Sequence, residues 1–180
     1  MEKHVCPPWV GYLLVSPLRR WLQNPYKILA PYLRKGQTVL DIGAGMGFYA
    51  IPAAELVGST GLVIAVDIQE EMMKGLEKRA RKAGVFDRIE LRLSSPKALG
   101  VSQEVDVCLA FNVVHEVPDP RALLSEIRSI LRKKGLLLFS EPRFHVSEAE
   151  FDKNLDLACD IGFSVQEKST LAGRSAVLVN

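Results

Sequence analysis

Three glycines at alternate positions follow a short apolar run and could bring a bound ligand directly onto the backbone. The run covers residues 39–42, and Gly43, Gly45 and Gly47 follow it. Such a run is typical of a buried parallel strand. Glycine has no Cβ atom, so the chain can turn sharply there and a ligand can approach it closely. Because residues 48–56 fit a helix, the sequence predicts a strand, a glycine turn and a helix N-terminus, which together form a nucleotide-type ligand site.

The spacing of these glycines disfavours a dinucleotide. The NAD-binding motif is Gly-x-Gly-x-x-Gly. Here the third glycine comes one residue early, at Gly47, and Phe48 stands at the motif position. This argues against a pyrophosphate resting on the helix end. A glycine turn without a ligand is the simplest alternative, but alternating glycines cost backbone entropy, which disfavours it.

A second apolar run ends in an acid. Residues 62–66 are apolar and Asp67 follows them, at the distance from the glycine turn expected for an acid at the tip of a second strand. A carboxylate there can accept hydrogen bonds from both vicinal hydroxyls of a ribose, and Ile68 could pack on an adenine. The alternative makes Asp67 a helix N-cap, since residues 69–82 look helical. The two roles are compatible.

Composition favours a single globular domain. The chain has 180 residues, of which 48% are hydrophobic, and a net charge of +2, too small to indicate nucleic-acid binding. No secretory signal and no apolar stretch long enough to span a bilayer are expected. The three cysteines, Cys6, Cys108 and Cys159, lack paired spacing, so we expect a reduced cytoplasmic protein.

Strand-like and helix-like segments alternate along the chain. The predicted strands are 38–42, 62–67, 88–93, 105–110, 135–141, 163–169 and 174–179. The predicted helices are 17–34, 47–57, 69–83, 119–132 and 147–161. A short turn at 171–174 makes the last two strands an antiparallel hairpin. The pattern predicts an α/β fold, a mostly parallel seven-stranded sheet with helices on both faces and a C-terminal antiparallel hairpin.

The order of four segments resembles the class I S-adenosyl-L-methionine (SAM) methyltransferases. The segments are the Asp41-x-Gly-x-Gly-x-Gly turn, Asp67, the run at 105–112 and the stretch at 131–139. The resemblance covers residues 26–180. It implies a Rossmann-like fold, SAM as cofactor and a small-molecule methyl acceptor, near the ubiquinone/menaquinone and "type 11" branches. The predicted organisation is a lid or cover segment at 1–36 and a SAM-binding region at 37–180, within a single domain overall.

The resemblance also implies a set of cofactor-binding residues. The methionine part of SAM would lie over the glycine turn, and the backbone near Asn112 would meet its amino group. Ser95 stands where the family often has an acid that binds the adenine amino group, and a serine offers a weaker, neutral hydrogen bond. The implied cofactor-binding residues are Asp41, Gly43, Ala44, Gly45, Gly47, Asp67, Ile68, Ser95 and Asn112.

Side chains that follow the fourth and fifth predicted strands are candidates for contact with the acceptor, because open α/β sheets bind ligands beyond the carboxyl ends of their strands. One hypothesis makes His115 a general base, with Glu116 orienting it or binding the ammonium group of SAM. The alternative makes His115 a capping or packing residue. Glu141 could line the pocket. Arg143 or His145 could meet an anionic substrate, although an ordinary solvated loop is the favoured interpretation for Arg143.

The absence of certain motifs excludes some classes of methyl acceptor. The Asn/Asp-Pro-Pro-Tyr motif of amino-directed nucleic-acid methyltransferases is replaced by Phe-Asn-Val-Val at 111–114. The Pro-Cys nucleophile of cytosine-5 enzymes is absent, and no metal triad is apparent. We therefore expect no nucleic acid and no metal.

The N-terminal aromatic stretch at 6–21 is interpreted first as a lid and cover, second as a homodimer contact and third as a membrane-surface segment without stable insertion. Two other functions stay open. One is a non-catalytic SAM-binding protein. The other, less favoured, is an NAD-dependent oxidoreductase.

Overall fold

The computed structural model describes residues 23–95, 98–169 and 173–180. Their core is a seven-stranded sheet with the order β3-β2-β1-β4-β5-β7-β6. The strands are β1 (Thr38–Ile42), β2 (Leu62–Asp67), β3 (Ile89–Leu93), β4 (Val105–Phe111), β5 (Leu131–Glu141), β6 (Ser164–Ser169) and β7 (Arg174–Val179). The first five strands run parallel, and β7 lies antiparallel between β5 and β6. The predicted α/β fold, including its antiparallel hairpin strands, is confirmed.

Within the described residues, five helices flank this sheet. They are α1 (Pro25–Leu29), α2 (Ala50–Val57), α3 (Glu70–Ala83), α4 (Pro120–Ile130) and α5 (Glu148–Ile161). Short 3₁₀ helices cover Phe86–Arg88 and Val114–Glu116. Most of the predicted lid at 1–36, part of the predicted helix at 17–34 and the tip of the hairpin lie outside the described residues.

Two apolar cores lie on opposite faces of the sheet, because successive strand residues point to opposite sides. Val39 joins the core formed with α1, α2 and α3. Its neighbour Leu40 joins the core formed with α4 and α5. Both residues are fully buried. This double burial holds the carboxyl ends of the parallel strands at one edge, where the candidate site lies.

Four of the predicted boundaries are wrong. Helix α1 ends at Leu29 rather than continuing to residue 34, since Pro31 has no backbone N–H to continue the helical hydrogen bonds. Helix α2 starts at Ala50 instead of residue 47, because the chain keeps turning after the glycines. Strand β5 begins at Leu131, four residues before the predicted start, and the predicted end of the preceding helix at 132 is likewise too late. Leu131 already pairs with Val105 ahead of an irregularity in the register.

Gly47 is the point at which the glycine turn packs against α3. Its φ is +81°, and an added Cβ atom would overlap the Cδ1 atom of Leu76. Leu76 is fully buried, so it has little room to move. Gly47 therefore has a packing role, and its Cβ position faces the protein interior.

We expect Gly47→Ala to destabilise the protein more than Gly84→Ala does. Gly84 ends α3 with a φ of +71° and has no atom within 4 Å of its Cβ position. Left-handed backbone costs an alanine about 1–2 kcal/mol at either site. Overpacking against Leu76 should add about 1–3 kcal/mol at Gly47 alone. Urea unfolding of the two variants measures the difference, and equal free energies of unfolding would contradict the packing role.

Candidate cofactor and acceptor site

The carboxylate of Asp67 joins the glycine turn to the end of β2. The Gly45 N–H donates to its Oδ2 atom over 2.8 Å, and the Gln69 N–H donates to its Oδ1 atom over 2.9 Å. The Ala44 N–H also donates to the Val66 carbonyl over 3.0 Å. These bonds fix the turn after β1 against the turn after β2. Asp67 thus makes an Asx-type contact with Gln69, the residue before α3, and it also holds the glycine turn.

Gly45 presents an open face, in contrast to Gly47. Its φ is +53°, and the nearest atom to its Cβ position is the Gly43 carbonyl oxygen, 4.0 Å away. Ala44 is buried in the core beneath the turn. Of the predicted turn residues, Gly43 and Gly45 are partly or well exposed, whereas Ala44 and Gly47 point inward. A ligand that lies on this turn would meet backbone at Gly45.

Asp41 is a buried carboxyl group below the turn. It is only 2% exposed. The backbone N–H of Ala50, the first residue of α2, hydrogen-bonds to it. Its Oδ2 atom has no hydrogen-bond partner among the described residues. Burial, reinforced by the negative charge of Asp67, raises the pKa of Asp41 to about 8.

An apolar ledge lies beside Asp67. Ile68 is 40% exposed and Leu93 is 62% exposed, and Leu93 is the register partner of Asp67 across β2 and β3. Two exposed aliphatic side chains next to a carboxylate suit a flat apolar ring joined to a sugar. Ser95, the predicted adenine contact, is exposed in a short bridge with Ala98 two residues beyond this ledge. The sequence analysis missed Leu93, although an apolar residue at a strand end beside Asp67 was a usable signal.

Asn112 ends β4 in a strained conformation. Its φ is +58°, in the left-handed region that non-glycine residues rarely adopt. Its N–H donates to the Ser140 carbonyl over 2.7 Å. Strained backbone of this kind concentrates at functional sites. Since the N–H is occupied, a ligand contact from Asn112 would use its carbonyl or its side chain.

His115 is held by Glu141 at the ends of β4 and β5. The His115 Nδ1 atom lies 2.5 Å from Glu141 Oε2, and the His115 backbone N–H donates to Glu141 Oε1 over 3.1 Å. Glu141 is fully buried, and the His115 side chain is 24% exposed. Glu116 lies farther away, with its Oε1 atom 3.9 Å from His115 Nε2. The residue that orients His115 is therefore Glu141, which the sequence analysis regarded only as a pocket-lining residue.

The tautomer of His115 follows from its pairing with an ionised Glu141. An ionised carboxylate only accepts hydrogen bonds, so Nδ1 of His115 carries the proton that it donates to Glu141. The Nε2 atom then has the lone pair that can accept a proton from another molecule. The pair has the geometry of a histidine base with a positioning carboxylate.

Several carboxyl groups lie along this edge of the sheet. Burial raises the pKa of Asp67, against hydrogen bonds from Gln69 and Gly45 that lower it. Partial burial also raises the pKa of Glu116, which lies near the carboxylates of Glu141 and Asp67. With Asp41, three carboxyl groups are disfavoured as anions in the unliganded protein. A ligand with a net positive charge would relieve this, and SAM, with its sulfonium, ammonium and carboxylate groups, is such a ligand.

The fold and the site together define a class. A parallel sheet with an antiparallel seventh strand, an open glycine turn after β1 and an acid at the tip of β2 are the features of the class I SAM-dependent methyltransferases. The chain matches the family model described as "Methyltransferase domain" over residues 33–172, and it belongs to that family.

Known proteins agree with this assignment. The ubiquinone/menaquinone biosynthesis C-methyltransferase UbiE of Escherichia coli is 32% identical over 114 residues, which are 61% of this chain and 45% of that protein. The chain therefore spans about half the length of the curated relatives that it matches. A SAM-dependent methyltransferase from Aquifex aeolicus superposes with a TM-score of 0.84 at 25% identity and covers 97% of this chain and 98% of its own.

The fold alone also occurs in a protein named as a cyclase. SpnF superposes with a TM-score of 0.70 at 18% identity, over 80% of this chain and 58% of its own.

Among the described residues, no helix combines the length and apolar character needed to cross a bilayer.

We expect Asp41→Asn to change how stability depends on pH. The pKa of Asp41 is raised from 3.8 to about 8, so the stability contributed by this carboxyl is complete below pH 3.8 and is lost as pH rises towards 8. The loss reaches about 1.4 kcal/mol per pH unit. Asparagine does not titrate, so the variant should gain stability relative to the wild type as pH rises. Urea unfolding across this range measures the gain, with the exposed Asp160→Asn as a control. Parallel pH profiles for Asp41→Asn and the wild type would contradict the buried, proton-binding state.

Proposed function

We propose that this protein is an enzyme that transfers the methyl group of SAM to a small-molecule acceptor. The observation that carries the proposal is the open backbone at Gly45, which Asp67 holds in place over 2.8 Å. SAM supplies a methyl group that its sulfonium already activates. The chain's own task is then to bind the cofactor, place the acceptor and exclude water.

The residues present fit this cofactor. The turn at Gly43 and Gly45 would receive the methionine part. The Asp67 carboxylate accepts backbone hydrogen bonds from Gly45, Gln69 and Ile68, and since a carboxylate has about four acceptor sites, it retains capacity for a ribose hydroxyl. Ile68 and Leu93 would flank the adenine.

Three further residues complete the proposed cofactor contacts. Asp41 and the Asn112 carbonyl would face the cationic end of the cofactor. Ser95 would contact the adenine edge. Burial raises the pKa values of Asp41 and Asp67, and a cation bound beside them would favour their ionised forms.

His115 and Glu141 are the proposed acid–base groups. Nε2 of His115 would take a proton from a hydroxyl or another weakly acidic group of the acceptor, while Glu141 keeps the ring oriented and stabilises the imidazolium that results. Glu116 would add negative charge beside the same ring. Because this pair is built to accept a proton, the favoured acceptors carry one on or next to the nucleophilic atom.

The setting of the enzyme also belongs to the proposal. We place it in the cytoplasm, acting on a free small molecule without nucleic acid, metal or stable membrane insertion. The segment at 1–36 would cover the site or contact a second copy, and residues 37–180 would form the catalytic region.

Two measurements test the activity. Calorimetry with SAM and with NAD separates a methyltransferase from an oxidoreductase, and we expect binding of SAM alone. Release of S-adenosylhomocysteine in the presence of a metabolite mixture separates an enzyme from a SAM-binding protein. Binding of SAM with no such product from any mixture would favour the non-catalytic alternative.

We expect Gly45→Ala to reduce SAM affinity about tenfold or more, since a methyl group would stand where the ligand lies. Calorimetry on the folded variant gives the dissociation constant. Gly84→Ala is the matched control, because it carries a similar backbone strain away from the site and should bind SAM normally. Unchanged affinity in Gly45→Ala would remove the turn from the cofactor site.

We expect His115→Ala and Glu141→Gln to lower turnover about 100-fold or more while SAM affinity stays near the wild-type value. Alanine removes the base, and the glutamine amide can donate to Nδ1 and so favour the other tautomer. Turnover is measured with an acceptor from the product screen, and SAM affinity by calorimetry. The exposed Glu104→Gln is the control. Normal turnover in both site variants would return His115 to a packing role.

A further inference from the structure

A groove lies between α5 and the β6–β7 hairpin, next to the candidate acceptor site. Its volume is about 530 Å³. Its lining includes the charged or polar residues Arg143, Glu148, Asp152, Lys168, Arg174 and Ser175. The cofactor residues described above are not part of its lining, so the groove is a separate space.

The charges of the groove leave an excess of positive charge. Lys168 and Asp152 neutralise each other in an ion pair of 2.8 Å. Glu148 lies in the first turn of α5, where the helix dipole favours a carboxylate. The remaining charged groups are Arg143 and Arg174. No ion pair joins either arginine to an acidic side chain in residues 23–95, 98–169 and 173–180.

Arg174 is a buried donor without an acceptor. Its Nε atom is shielded from solvent and has no hydrogen-bond partner within the described part of the chain. A buried donor in this state is unfavourable, because it has lost its hydrogen bond to water without gaining a protein acceptor. Arg174 lines the groove, and the terminal N–H groups of the same guanidinium could bind an oxyanion there, because a guanidinium matches a carboxylate or phosphate with parallel N–H donors.

The sheet register places Arg174 beside the proposed base. Arg174 and Glu141 are direct partners across the antiparallel β5–β7 pair, so their side chains leave the same face of the sheet. Both oxygens of Glu141 already accept hydrogen bonds from His115. Glu141 therefore has its partner, and Arg174, which lies opposite it across the strand pair, contributes to the groove lining.

We propose that this groove is an oxyanion subsite for the methyl acceptor, with Arg174 as its inner anchor and Arg143 at its rim. The inference rests on the proposed function for its link to methyl transfer. It names the acceptor as a small molecule that carries a carboxylate or a phosphate group in addition to its nucleophilic atom. Arg174 would hold the anionic group while His115 faces the atom that is methylated.

The Nε–H signal of Arg174 in ¹⁵N-labelled protein tests the subsite directly. The signal is assigned by its disappearance in Arg174→Gln. If Arg174→Gln does not fold, Arg174→Lys is used in its place. Sodium benzoate and sodium phosphate are titrated separately, with sodium chloride at equal ionic strength as the reference. We expect a saturable shift with at least one oxyanion and not with chloride. A preference for benzoate indicates a carboxylate acceptor, and a preference for phosphate indicates a phosphorylated one.

Arg143→Gln should weaken the same titration several-fold, whereas Arg121→Gln, on the outer surface of α4, should leave it unchanged. No shift with either oxyanion, or a shift equal to that with chloride, would overturn the subsite. Calorimetry with SAM on the same samples keeps the two proposals apart. If the wild-type protein does not bind SAM, the methyltransferase function is rejected, while the result of the anion titration still stands.

Discussion

One hydrogen bond governs the geometry of the cofactor edge: the Gly45 N–H donates to the carboxylate of Asp67. The donor comes from the turn after β1 and the acceptor from the end of β2, so the bond, together with that from the Ala44 N–H to the Val66 carbonyl, joins the two segments. It also explains why the open face is at Gly45, since the neighbouring Ala44 and Gly47 are turned into the core by the same arrangement. The acceptor half of the site depends on an analogous contact, in which buried Glu141 fixes His115.

These contacts place acidic groups where water is scarce, which opposes folding. Burial raises the pKa of Asp41 to about 8, and the pKa of Asp67 is raised for the same reason. In the free protein, such a carboxyl group is either protonated or unfavourably charged. Its ionised form becomes favourable beside a cation. If Asp41 faces the cofactor as proposed, affinity for a positively charged ligand and intrinsic stability are opposed at this residue, as is common at functional sites that retain unfavourable groups for binding.

Local patterns predicted the sheet, the glycine turn and Asp67, because apolar strands and glycine spacing are encoded over a few residues. The separate roles of Gly45 and Gly47 were not predictable, since they depend on Leu76 packing from another helix. The pairing of His115 with Glu141 joins the 3₁₀ helix after β4 to the end of β5, two segments that are distant in sequence. Adjacency along the chain favoured Glu116 instead. The late start of α2 and the early start of β5 likewise depend on tertiary contacts that no sequence window contains.

The reversed direction of β7 has an evolutionary consequence. A parallel strand would have brought its last residues to the ligand edge, but an antiparallel one brings its first residue, Arg174, there beside the end of β5. Changes in the hairpin can thus alter the region next to His115 while the glycine turn and Asp67, on strands β1 and β2, stay untouched. In the proposed assignment, the glycine turn and Asp67 hold the cofactor from β1 and β2, whereas Glu141 and Arg174 face the acceptor from β5 and β7, so a lineage could vary the hairpin without rebuilding the glycine turn.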